Sequence, residues 1–527
     1  MQRSKTFVLA ALCCAAAWPM SASAQPNSDR PEAHQHAMPI GDKLGELSFP
    51  NSGKPAAQAP FLRGVRLLHN FEYEDAITAF QQAEKADPDF ALAYWGEAMA
   101  HNYTLWAEQH TDEARAVLAK LGSTPEARAA KAKTAREKMW LSAVEALYGP
   151  GTKFERDEAY ADRMDALFVA YPNDIEARAF DALATMGRSH GTRDVANYMK
   201  AAGMLEEVFP THTHHPGVVH YLIHAYDDPV HAPLGIRAAR LYDKIAPDSA
   251  HAQHMTSHIF LAMGMWPETE EANLHAAAVQ DAAMAADHMP PGACGHGYIW
   301  LVYARLQEGK DVSREIEACL AQAQAMAKEL KELPAVGSPE GAFGSWADMA
   351  VRTGIETGKW PKWVEPPSGK FAWTRFTQDY GRVLASRHDA AAAEAALAAM
   401  KNEREIIVAN WKKEFPDDDT SLPWVDRAVA QGEAVAALAQ GRSDDGLQLL
   451  RKAAEAEAAL PPPFGPPALQ KPSYELLGDE LLALGRKSEA ADAYRQALAA
   501  APNRRLSVLG LKAATAPSAL ASGSARH

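Results

Sequence analysis

Two histidine pairs, set one helical hairpin apart, constrain this chain more than any other feature. His220 and His224 stand four residues apart, as do His254 and His258, and each member of the second pair follows its counterpart by 34 residues. Asp227 continues the first series as H-x3-H-x2-D, and His251 opens the second as H-x2-H-x3-H. Side chains three or four apart share one face of an α-helix. A separation of 34 residues is one helix out, a turn and one helix back, the unit of a stacked repeat array. The pattern predicts two neighbouring helices that aim imidazoles into one shared space, with the donor chemistry of a metal site.

From Pro60 onward the chain reads as helical: alanine is abundant, turns carry Gly or Pro, and no alternating strand segment stands out. Gly64, Tyr73, Ala76, Phe80, Ala83 and Pro88 mark one hairpin near the start. Tyr474, Leu477, Gly478, Leu481, Gly485, Ala490, Tyr494, Ala497 and Pro502 mark another near the end. Small residues let the two helices of a hairpin approach, aromatics fill the space between them, and proline ends the second helix. Weaker units end at Pro172, Pro210 and Pro247. These landmarks resemble those of tetratricopeptide-repeat proteins. The resemblance implies an all-α superhelical solenoid of tetratricopeptide-like helix hairpins over residues 60–512. More narrowly, His215-Pro216 through His220-Tyr221 to His224, followed by His251-Ala252 through His254-Met255 to His258, is similar to a segment of exported bacterial tetratricopeptide proteins. The resemblance also implies that the first helix of each unit lines a concave groove. With units starting at Pro216 and Ala250, His220, His224, Asp227, Asp228, His251, His254 and His258 all face that groove.

The ends carry different signals. Arg3 and Lys5, an apolar run from Phe7 to Ala17, and Ala22-Ser23-Ala24 read as a cleavable export signal over residues 1–24. A bacterial periplasm is the expected destination. Residues 25–59 read as a disordered leader, 60–332 as an N-terminal array with the histidine-rich centre, and 333–370 as an irregular insertion or joint. Residues 371–512 read as a C-terminal array and 513–527 as a disordered tail. Loss of Arg3 and Lys5 takes the 53 basic residues to 51 against 67 acidic ones, so the net charge moves from −14 to −16. That balance argues against nucleic acid or anionic lipid, which need a basic footprint, and no later segment is apolar for long enough to span a membrane. The mature part keeps Cys294 and Cys319, at opposite ends of two predicted antiparallel helices. A disulfide and two separate buried thiols are both compatible with that placement.

Twelve of the 20 histidines lie between His212 and His296, interleaved with helical apolar positions. The candidate metal ligands are His220, His224, Asp227, His251, His254 and His258. Neighbouring helix axes about 8–10 Å apart let imidazoles from both sides reach one ion. Five histidines and a carboxylate exceed one tetrahedral shell, so the set also accommodates two ions. Imidazole with carboxylate and no thiolate suits zinc, copper or iron, and argues against calcium. His214 and His215 are placed to cap the first ladder helix or add outer ligands. His288 and His296 flank a glycine-rich loop, Pro290 to Gly297, that could fold over the groove; His69, His101, His231 and His275 read as structural or exposed. No phosphate loop, dinucleotide fingerprint, serine elbow, haem-attachment motif or His-Glu-x-x-His helix occurs. Enzyme status is therefore open. The alternative is a metal-free scaffold whose groove binds a peptide or protein partner.

Overall fold

The computed structural model describes residues 40–329, 331–332, 338–367, 371–414 and 422–517. Helices run from Pro55 to Thr515, and the only strands among the described residues are the two-residue pair Asn102–Tyr103 and Glu108–Gln109. The chain is thus an all-α array of helix hairpins. The small-residue landmarks explain how the hairpins close. Between the helices Pro55–His69 and Tyr73–Ala86, a Cβ on Gly64 would lie 2.8 Å from the Phe80 ring. Between Ser473–Ala483 and Lys487–Ala500, one on Gly478 would lie 2.8 Å from Tyr494. Only hydrogen leaves room for the aromatic wedge at this distance.

The middle of the array places the histidines. The helix Pro216–Ala225 pairs with Ala232–Ile245, and Ala250–Ala262 pairs with Trp266–Ala286; the helix His296–Gln307 packs on the latter. Each start is set by a side-chain cap: His215 Nδ1 accepts the Val218 N–H at 3.2 Å, and Ser249 Oγ accepts the Ala252 N–H at 3.0 Å. Such caps satisfy donors that the first helical turn leaves orphaned. Pro210 and Pro247 fall just after the helices Val195–Glu206 and Ala232–Ile245, as their ring geometry requires.

Three expectations about organisation need correction. The leader read over 25–59 is packed from Ile40 onward: Leu44 and Phe49 are buried, and the Glu46 N–H donates to the His214 carbonyl at 2.9 Å. Two apolar anchors suffice to fix a segment whose composition is otherwise polar, and the first helix starts at Pro55 rather than Pro60. The supposed irregular joint over 333–370 contains the helix Pro339–Thr357, capped by Ser338, with Trp346 buried. Its prolines and glycines mark helix ends and close packing, as where Trp360 covers Gly354. The tail boundary at 513 also shifts, because the helix Arg505–Thr515 crosses it. Residues 1–24, expected to be an export signal, lie outside the described residues, as do residues 25–39 and the chain beyond 517. Among the described residues, no helix is long and apolar enough to cross a membrane.

The last hairpin folds back on the centre. Trp266 Nε1 donates to the Asn503 carbonyl at 3.1 Å, and Arg504 forms buried ion pairs with Glu356 and Glu475 at 2.7 and 2.9 Å. A buried arginine needs several partners to offset desolvation, and the two carboxylates supply them.

Candidate metal centre

His220 and His224 occupy one face of the helix Pro216–Ala225, and His251, His254 and His258 occupy one face of Ala250–Ala262. The faces meet. His220 Nε2 lies 3.1 Å from His224 Nε2 and 3.2 Å from His251 Nε2. His254 Nε2 lies 3.2 Å from His258 Nε2, and the His296 ring stands 4.5 Å from that of His254. The donors therefore fall into two trios, His220–His224–His251 and His254–His258–His296, each with its nitrogens within 4.8 Å of one another. His220, His224, His254 and His258 do not surround a single point, and the trios divide them differently from the sequence pairing: His251 turns back toward the earlier helix.

Asp227 differs from its expected position. The helix Pro216–Ala225 ends before it, with Pro229 close behind, so Asp227 sits in the turn rather than on a continued helical face. There its Oδ2 accepts the His258 Nδ1 proton at 2.6 Å. Asp228 is occupied elsewhere, by Arg193 at 2.8 Å and His231 at 2.7 Å.

The far nitrogens decide where the protons are. His220 Nδ1 lies 2.7 Å from the His69 carbonyl oxygen, which can only accept. His254 Nδ1 lies 2.7 Å from Asn273 Oδ1, whose orientation is fixed because Asn273 Nδ2 donates to the Thr269 carbonyl at 2.8 Å. With Asp227 on His258, three rings carry a proton on Nδ1 and turn Nε2 inward. Nε2 of His254 thus faces Nε2 of His258 at 3.2 Å, and His224 and His251 both approach Nε2 of His220. Burial pushes His220 and His254 down to about 3, and takes His224, His251 and His296 well below the ordinary imidazole value. Loss of solvation penalises the charged ring, and the facing imidazoles act in the same direction.

Aromatic rings wall each trio. Phe71 stands 4.4 Å from His220 and 5.5 Å from His251; Trp300 stands 4.4 Å from His258 and 5.2 Å from His296. Phe71 holds a left-handed φ of 57°, a conformation costly for a bulky residue and one that packing must enforce. His251 and His296 are the partly exposed members, and Trp106, 39% exposed, lies 6.4 Å from the His251 ring.

A third buried group shows what satisfied histidines look like. Glu176 accepts from His69 Nε2 at 2.8 Å and from His215 Nε2 at 3.1 Å, while His69 Nδ1 pairs with the Tyr221 hydroxyl at 2.9 Å and His215 Nδ1 caps its helix. Every nitrogen has a partner of matching polarity. Burial alone would raise the Glu176 carboxyl, but the two imidazoles outweigh it and hold it at about 2. This cluster fixes His69, whose carbonyl orients His220.

Sequence reasoning gave His296 little weight and missed Asn273, Phe71 and Trp300. The available signal for His296 was its neighbour. Cys294 forms a disulfide with Cys319, which ties the loop ahead of His296 to the helix Ser313–Glu329. His190 stacks on Phe154 at 4.1 Å, away from the trios.

No family model and no curated protein matches this chain. Among solved structures, the crystal structure of the P58(IPK) TPR domain is similar over 87% of this chain and 97% of that one, at 11% identity and a TM-score of 0.21. At that score the superposition adds nothing to the hairpin architecture described above.

Proposed function

We propose that this protein binds two transition-metal ions, one on His220, His224 and His251 and the other on His254, His258 and His296. Asp227, Asn273 and the His69 carbonyl hold the ligand rings from behind, as oriented ligands require. One observation carries the reading: Nε2 atoms crowd together at 3.1–3.2 Å within each set, while Nδ1 of His220, His254 and His258 is held by an acceptor behind the ring. A metal about 2.0–2.1 Å from each nitrogen puts tetrahedral ligand edges near 3.3 Å, so the observed spacing fits a shared cation. Three imidazoles per ion leave a further coordination position, the arrangement that lets a bound metal act on a small molecule. Zinc, copper and iron suit the donors. The export signal read over residues 1–24 and the disulfide both fit export to an oxidising compartment, the periplasm. The deep burial of His220 and His254 speaks against a groove floor that reads a peptide partner.

Elemental analysis of the purified mature protein tests this. Two ions per chain are expected, falling to one in His251→Ala or His296→Ala and to near none in the double variant His220→Ala/His254→Ala, with helicity by circular dichroism unchanged. Metal-free protein that melts identically with and without added ions would leave the scaffold reading in its place.

A further inference from the structure

We propose that the two trios work as one dicopper centre that binds dioxygen between its ions; this rests on the two-ion reading above and gives it a chemistry. Three observations carry it. First, the trios abut. The His224 and His258 rings lie 6.0 Å apart and the His251 and His254 rings 6.5 Å, about the same as the 6.3 Å between His258 and His296 within one trio. Ions held by the two sets of nitrogens would be immediate neighbours, the arrangement that paired-metal sites use.

Second, the donors are all imidazole, a ligand that suits copper, with no carboxylate in either trio. The charges nearby are few. Asp227 is spent on His258, Asp228 is matched by Arg193, and Glu72 is held by Ser249 Oγ at 2.6 Å and the His251 N–H at 3.2 Å. Charge is costly where water is excluded, so two singly charged ions are easier to bury here than two bare divalent ones. Two copper(I) ions bring a total of +2. When dioxygen bridges them, each ion gives up one electron, the oxygen–oxygen double bond becomes a single bond, and a peroxide dianion sits between two copper(II) ions. Electrons balance within the centre, no proton is needed, and the total remains +2. The environment therefore suits both oxidation states.

Third, the walls suit a small apolar molecule. Phe71 and Trp300 flank the trios, while the partly exposed His251 and His296 and the nearby Trp106 mark the side open to solvent.

The test loads the whole mature chain with two equivalents of copper(I) without air and then admits dioxygen. The expected result is retention of two coppers per chain and a strong new near-ultraviolet absorption. Electron paramagnetic resonance should stay nearly silent, because bridged copper(II) spins cancel. His296→Ala, checked for unchanged helicity, should keep one copper, lose the absorption and, once oxidised, show the full signal of an isolated copper(II). His231→Ala, outside both trios, should behave as the unsubstituted chain. Two coppers whose spins are both detected would overturn the coupled centre while leaving the two-ion reading intact. So would a chain that refuses copper but takes two zinc ions. A chain that takes up no metal sinks both.

Discussion

Replacing Asp227 by Asn separates metal binding from simple packing. Asp227 is buried, and its Oδ2 takes the Nδ1 proton of His258 at 2.6 Å. Asn keeps the shape and an accepting oxygen but removes the charge. Groups that orient metal-bound histidines from behind typically change affinity about 10–100-fold, or roughly 1.4–2.8 kcal/mol at 1.4 per decade. A charge-assisted hydrogen bond contributes about 1.5–3 kcal/mol, so the two figures agree. Because Asp227 touches His258 and no ring of the first trio, the loss should fall on one site: the second ion weakens about 10–100-fold and the first is unchanged. Competition titration against a chelator of known affinity resolves the two. If Asp227 serves packing alone, Asp227→Asn lowers the denaturation midpoint of chelator-treated protein and there is no site-specific affinity to lose. Equal weakening of both sites, or none, would refute the argument that Asp227 acts through His258.

Further outcomes follow from other contacts. Glu176 is held at about 2, below the ordinary glutamate value, so its stabilisation is present above about 4.5 and is lost as pH falls toward 2; Glu176→Gln should cost about 3 kcal/mol at pH 7 and progressively less in acid, read by denaturant titration across pH. The Cys294→Ser/Cys319→Ser variant frees the loop ahead of His296, so it should retain one ion tightly and bind the second more weakly by elemental analysis after dialysis. Gly478→Ala drives a methyl to 2.8 Å from the Tyr494 ring and should cost about 1–3 kcal/mol of overpacking, measured by chemical denaturation.

The hairpin architecture was legible because it is local: glycine opposite an aromatic and proline after a helix act within about 34 residues. The two histidine series were legible for the same reason, since i, i+4 spacing places side chains whatever the tertiary context. Their partition was not. His251 joins His220 and His224 because the two helices pack at a particular offset, and no periodicity encodes an offset. His296 lies 38 residues past His258 and reaches it through a loop fixed by Cys294. Asp227 was identified as belonging near the histidines, but the helix ends two residues earlier, which turns it behind a ring of the next repeat. Composition misjudged the segment around Leu44 and Phe49, where two buried side chains outweigh polar neighbours, and the region 338–367, where Pro and Trp sit at helix boundaries.

The six histidines come from the first helices of three successive hairpins, with Phe71 arriving from the turn of the first hairpin of the array to press against them. In an ordinary repeat array each unit leans only on its neighbours, and unfolding can spread from any weak junction. Here the central junctions share ligands, so capturing ions would staple neighbouring hairpins into one cooperative block and make the middle of the array the last part to melt.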